Sequence, residues 1–202
     1  MIITAIKQQE RLKGRYSIYV DGAYAFSLSA DALLAAKIAQ GQVLEPAELK
    51  AFKKLSADDK AYGLALAYVA RRMRSRHELN DYFRRKEYDA ELSGQILSKL
   101  TALGLVDDGK FAEAWVRNRR LLKFTSKRKL TAELHQKHVA EDIISRVLAE
   151  DETDEHAVLQ ELVERKRRQS RYKDDLKLMR YLAGQGFSYD DIKRAIHTDA
   201  QE

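Results

Sequence analysis

Apolar and polar residues alternate one by one from Tyr16 to Leu28. Tyr16, Ile18 and Val20 share one face, Asp21-Gly22 interrupts with two residues tolerant of positive φ, and Tyr24, Phe26 and Leu28 resume the alternation. Period two on either side of an Asp-Gly dipeptide predicts a β-hairpin. The apolar run from Ile2 to Ile6 predicts a third strand beside it, with Gly14 near the connecting turn, because a lone hairpin is only marginally stable in water. Ser29 and Leu44-Glu45-Pro46 are helix-start signals and predict short helices near 29–40 and 45–55.

Beyond residue 58 the apolar spacing becomes helical, and it repeats. Leu79, Phe83, Tyr88, Leu92 and Ile96 are separated by four, five, four and four residues, and Leu130, Leu134, Val139, Ile143 and Val147 show the same intervals. A third copy begins Leu178, Leu182, Phe187 and then slips by one residue to Ile192 and Ile196. The five-residue step marks a corner between two helices, and a further helix precedes each copy, around Tyr68-Val69, Trp115-Val116 and Leu162-Val163. The chain therefore reads as mainly α, with three tandem three-helix repeats forming a curved helical stack behind a small N-terminal β-hairpin or three-stranded segment and short helices. The expected domains are 1–57, 58–106, 107–149 and 150–202.

Charge adds a second periodicity. The upstream helices end in cations: Arg71, Arg72, Arg74 and Arg76 in the first repeat, Arg117, Arg119, Arg120 and Lys123 in the second, Arg165 to Arg168 in the third. Lys127, Arg128 and Lys129 follow in the second. Asp107 or Asp108 at the start of its helix and cations at the end suit the helix dipole, and Ser75 with Glu78 forms a capping-box pattern. One or two cations satisfy a dipole, so four within one short stretch predict an anion opposite. The second repeat has ten basic side chains to six acidic, whereas 150–202 has ten to thirteen, with an acidic stretch at 150–155 suited to repel nucleic acid or meet a basic protein surface. The candidate contacts to phosphate or to an acidic protein are thus Arg71, Arg72, Arg74, Arg76, Arg117, Arg119, Arg120, Lys123, Lys127, Arg128 and Lys129, weighed against a merely solvated surface. Arg165 to Arg168 is set aside as pairing with Glu161 and Glu164 one turn upstream. Arg117, Arg119 and Arg120 are expected on the exposed side of their helix, so that reversing their charge leaves the fold intact.

Other classes find little support. The 202-residue chain has no cysteine, which excludes disulfides, thiolate catalysis and Cys-based zinc sites, and no window reaches the ~20 apolar residues of a membrane span. A cytoplasmic protein is the expectation. Phe111, Trp115, Phe83, Tyr88 and Phe187 lie on apolar faces and are assigned to the core. His135 and His138 stand three apart but lack a further ligand, and no nucleophile elbow, phosphate loop or metal motif appears, so no enzyme, metal or cofactor is expected.

The segment GLVDDGKFAEAWVRNR, followed by SKRKLTAELHQKHVAEDIISRVL, resembles the hallmark of the RecX family, bacterial regulators of the recombinase RecA. The flanking copies ALAYVARRMRSRHELNDYFRRKEYD and LMRYLAGQGFSYDDIKRAI resemble that family's first and third repeats, so that the resemblance covers residues 58–198. YSIYVDGAYAFSLS resembles the strand-rich segment some members carry. The family commonly has Gly at the corner after the second helix; Gly186 keeps it, while Glu87 and His138 stand in the equivalent places. The resemblance implies a monomeric, non-enzymatic protein that binds the RecA–DNA filament, inhibits RecA ATPase, recombination and strand exchange, and so modulates DNA repair and the SOS response. It also implies weak, sequence-tolerant affinity for single- and double-stranded DNA. Three-helix units by themselves leave a second reading open, a stand-alone helix-turn-helix-like DNA-binding or transcription regulator.

Overall fold

The computed structural model describes residues 1–199; the last three positions of the 150–202 segment lie outside the described residues. Three strands, β1 (Ile3–Gln8), β2 (Arg15–Val20) and β3 (Ala23–Ser29), precede the helices. The helices are α1 (Ala30–Ala35), α2 (Pro46–Ala70), α3 (Arg76–Arg85), α4 (Ala90–Ala102), α5 (Asp108–Lys123), α6 (Lys127–Gln136), α7 (Glu141–Ala149), α8 (Glu155–Arg167), α9 (Asp175–Gly184) and α10 (Tyr189–Asp199). By their contacts these elements form two units, one of Met1–Arg72 with Tyr88–Leu100, the other of Met73–Glu87 with the chain from Thr101 onward.

In the first unit the sheet is antiparallel in the order β1-β2-β3. Asp21 (φ 49°) and Gly22 (φ 85°) make the left-handed turn that the hairpin needs, and the register pairs Ile18 with Phe26 and Tyr16 with Leu28. Ile3, Ile18, Val20, Phe26 and Leu28 turn one face inward, where Ile38, Leu44, Leu49, Phe52 and Leu55 cover it. Ser29 caps α1 through the Ala32 N–H (3.2 Å). Asp59 of α2 then ties the end of the sheet to the helix, accepting from Arg15 Nη1 (2.9 Å), Ser29 N–H (2.9 Å) and Ser29 Oγ (2.5 Å). The expected short helix over 45–55 is a correction. Pro46 starts it, with Glu48 accepting from the Glu45 N–H (2.8 Å), but nothing near 57 breaks it, and α2 continues to Ala70. α1 is likewise shorter than expected and ends by residue 36.

Among the described residues of the second unit, two apolar centres stand out. Phe111, Ala112, Val116, Leu130, Leu134, Val139, Ile144 and Val147 form one, and Leu159, Leu162, Val163, Leu178, Leu182, Phe187, Ile192, Ala195 and Ile196 the other. Ile144, not Ile143, is the buried isoleucine of α7. With that correction the interval from Val139 to Ile144 equals that from Phe187 to Ile192, and Val147 then corresponds to the buried Ala195 rather than to Ile196. Each corner after the second helix is left-handed: Glu87 (φ 57°), His138 (φ 54°) and Gly186 (φ 92°). At the last two, the N–H of the following residue reaches back to a carbonyl five positions earlier, Val139 to Leu134 (3.2 Å) and Phe187 to Leu182 (3.4 Å), closing the helix end.

The repeats of this unit join by one recurring device. Ser75 caps α3 by accepting from the Glu78 N–H, and its hydroxyl donates to the Lys137 carbonyl (3.1 Å) at the corner beside His138. Ser126 caps α6 by accepting from the Lys129 N–H, and its backbone N–H donates to the Gln185 carbonyl (3.2 Å) beside Gly186. The first amide of each capped helix is taken by a carboxylate of the following repeat: Arg76 N–H donates to Asp108 (2.7 Å), Lys127 N–H to Glu155. Free amides at a helix N-terminus need acceptors, and here the next repeat supplies them.

Candidate protein and nucleic-acid interface

The site expected from the sequence is the set of basic clusters, and α5 shows how the fold sorts them. Asp107 caps this helix, accepting from the N–H groups of Gly109 (2.9 Å) and Lys110 (3.1 Å), which leaves Asp108 free for Arg76. Phe111, Ala112 and Val116 then fix the buried face. At about 100° per residue, Arg119 and Arg120 fall within about 40° of the buried positions Ala112 and Val116 respectively, whereas Arg117 lies about 100° from Val116.

Arg117 and Lys123 are exposed. Arg119 and Arg120 are not, which corrects the expectation that all three arginines lie outside. Arg119 Nε donates to Glu133 (2.6 Å) while its guanidinium covers the Trp115 ring at 4.5 Å, and Trp115 Nε1 donates to the same carboxylate (2.8 Å). Arg120 is held more deeply, with its side chain and that of Asp151 each 9% exposed. It donates to Asp151 through Nε (2.9 Å) and Nη2 (2.6 Å) and to the Thr125 carbonyl (2.6 Å), with Glu155 at 3.6 Å. Burial by itself would raise the Asp151 carboxyl; hydrogen bonds from Thr153 and Arg120 outweigh it and hold the group below the ordinary value. The acidic stretch at 150–155 thus binds the chain's own cations.

Lys129 is likewise engaged within the protein, its ammonium donating to the Gly184 carbonyl (2.6 Å) at the joint between repeats. Lys127 is half-buried. Arg128 is exposed and lines a shallow cleft with His156, Asp191 and Arg194. In the same unit Arg76 is exposed and Arg74 half-buried; in the other unit Arg71 and Arg72, at the end of α2, are exposed. The exposed candidates are therefore Arg71 and Arg72 in one unit, and Arg76, Arg117, Lys123 and Arg128 in the other.

The third repeat's run is engaged within the protein at three of its four positions. Arg167 donates to Asp175 (2.5 Å) and to the carbonyls of Tyr172 and Lys173, Lys166 lies over the rings of Tyr172 and Tyr181, and Arg165 lies over Phe124. His138 stacks on His77 with ring centroids 3.6 Å apart, and His135 faces Glu141 at 3.0 Å, so the two histidines have separate partners. Among the described residues no group of three or more His, Cys, Asp or Glu is placed to hold a metal, and no helix is long and apolar enough to cross a membrane. Charge density missed the exposed pair Leu121 and Leu122, 70% and 72% accessible, beside Arg117. Two adjacent leucines at the end of an amphipathic helix were the available signal.

Comparison with known proteins agrees along most of the chain. Four family models match in order: the regulatory protein RecX N-terminal domain at residues 1–45, and the first, second and third RecX three-helix domains at 61–100, 107–148 and 152–196. Regulatory protein RecX of Lactobacillus johnsonii is 34% identical over 76% of this chain and 56% of its own length. That of Listeria monocytogenes is 31% identical over 99% of this chain and 76% of its own length. The chain thus spans only about half to three quarters of these relatives. A crystal structure of regulatory protein RecX superposes with a TM-score of 0.73 at 26% identity, covering 97% of this chain and 98% of that one. RecX from Lactobacillus salivarius superposes with a TM-score of 0.57 at 26% identity over 70% of this chain and 95% of the other.

Proposed function

The chain belongs to the RecX family of regulatory proteins, and from that premise we propose that it acts on the RecA–DNA filament, inhibiting RecA ATP hydrolysis and strand exchange. The match of all four RecX segments in order carries this reading. The exposed cations Arg71, Arg72, Arg76, Arg117, Lys123 and Arg128 support it, since a filament of protein on DNA presents both phosphate and acidic side chains. Arg119, Arg120 and Lys129 have no part in it beyond holding the repeats together, and Arg74 and Lys127 remain secondary candidates. The protein works as a non-enzymatic, monomeric regulator in the cytoplasm, wherever filaments form.

A helix-turn-helix reading finds less support. A helix that reads duplex DNA brings its N-terminal residues to the groove. Here the third helices open with carboxylates: Glu91 in α4, Glu141 and Asp142 in α7, Asp190 and Asp191 in α10. The N-termini of α3 and α6 are occupied by the following repeats. Co-sedimentation with RecA filaments on single-stranded DNA tests the proposal: the protein pellets with the filament, and charge reversal at Arg71, Arg72 and Arg128 together weakens it. Footprints at a defined duplex sequence without RecA would favour the other reading.

A further inference from the structure

In the first unit α2 outruns the sheet that it covers. Leu49 and Phe52 pack on the apolar face of the sheet, and the Ser56 hydroxyl donates to the Ser27 carbonyl (2.6 Å) of β3. At about 100° per residue, Gly63 and Ala67 fall within about 20° of Ser56, whereas the buried line of Ala61, Ala65 and Val69 lies about 140° or more away. Here a groove of about 750 Å³ opens between α2 and the loop that joins β1 to β2. Lys60 and Leu64 stand on its helix wall, and Arg11, Leu12 and Lys13 on its loop wall, all of them exposed.

The lining selects its occupant by charge and by apolar surface together. A further lining cation, Arg15, is already taken by Asp59 (2.9 Å) and Ser27 (3.0 Å), which leaves Arg11, Lys13 and Lys60 to face an anion, and no carboxylate is among the lining residues to repel one. Leu12 and Leu64, 59% and 43% accessible, require an apolar partner in the same place. A polynucleotide would satisfy the cations but not the leucines, and no aromatic ring lines the groove to stack a base. A peptide carries carboxylates and an apolar side chain within one or two residues of each other. Gly63 leaves room for it: glycine is a poor residue for a helix interior, and an added Cβ would meet nothing within 4 Å, so no neighbour in the fold requires it.

We infer that this groove is a docking site for an acidic peptide segment of a partner protein, which seats an apolar side chain between Leu12 and Leu64 and sets its carboxylates on Arg11, Lys13 and Lys60. Apolar contact at the centre excludes water, and the cations at the rim fix register. This binding is independent of the filament contact proposed above.

The test uses the full chain and a fluorescein-labelled synthetic peptide, Glu-Glu-Leu repeated three times, with binding read by fluorescence anisotropy. The wild type binds it, and a Glu-Glu-Ser peptide of the same length and charge binds about tenfold more weakly. Gly63→Gln changes no charge, suits a helix better than glycine and reaches into the groove, so its melt stays at or above the wild-type position while affinity for the leucine peptide falls about tenfold. Leu12→Ser, in an exposed loop, gives a loss of similar size with an unchanged melt. Affinity for bare oligothymidylate stays within about twofold in both variants. Failure of the wild type to bind the peptide, equal affinity for the two peptides, or wild-type peptide affinity in both variants would overturn the inference. An equal loss of oligothymidylate affinity would make the groove a nucleic-acid site and overturn it as well. None of these measurements involves RecA, so the proposed function stands or falls separately.

Discussion

Gly186 packs directly on Ser126: a Cβ at Gly186 would overlap the serine hydroxyl and lie 2.7 Å from the Lys129 Cβ. Its φ of 92° also lies where L side chains are strained. This is the joint between the second and third repeats, and the close approach explains why the corner has a glycine here. Gly186→Ala is expected to destabilise the fold by about 3 kcal/mol, combining left-handed strain with overpacking. Gly184→Ala, two residues earlier with open space around it, is expected to be neutral or slightly stabilising. Denaturant melts of the two variants check the contrast.

Glu87 holds the same left-handed place in the first repeat with a side chain exposed to solvent. Glu87→Gly relieves the Cβ strain and loses some of it again to the greater freedom of the unfolded chain, for a net gain of about 0.5 kcal/mol. The equivalent change at His138 removes the stack on His77 and is expected to gain nothing. Urea midpoints of the two glycine variants separate these effects.

Asp151 and Arg120 form an ion pair whose side chains are each only 9% exposed, and removing one partner strands the other. Asp151→Asn is expected to cost about 2–3 kcal/mol at neutral pH. Because the folded carboxyl is held below its ordinary value, its contribution is fully present above about pH 4 and is lost as the pH falls through the folded value. The stability gap between wild type and variant therefore narrows in acid. Melts from pH 7 down to pH 3 read that convergence; a gap independent of pH would contradict it.

Reversing charge along α5 should give unlike results at neighbouring positions. Arg119→Glu faces Glu133, and Arg120→Glu faces Asp151 and Glu155, so both lower the melting temperature. Arg117→Glu, at an exposed position, leaves it unchanged and weakens filament binding instead. Circular dichroism melts with co-sedimentation distinguish the two classes.

Local chemistry was the legible part of this sequence. Asp21-Gly22 sets its turn through its own φ preferences, and Ser29 and Ser75 cap their helices through hydroxyls three residues from the amides they serve. What depended on distant partners was hidden. Charge density placed Arg119 and Arg120 outside, but Glu133 and Asp151, 14 and 31 residues away, draw them in. Asp108 read as one of two equivalent caps, whereas tertiary contact gives it the amide of Arg76. Ile143 and Ile144 fit the helical period nearly equally, and packing chose the second.

RecA-catalysed ATP hydrolysis on single-stranded DNA, measured while this protein is titrated in, tests the central claim most directly. Progressive inhibition up to equimolar protein, lost on Arg71, Arg72 and Arg128 charge reversal in a variant that melts like wild type, is the predicted result. An unchanged hydrolysis rate with excess folded protein would contradict it.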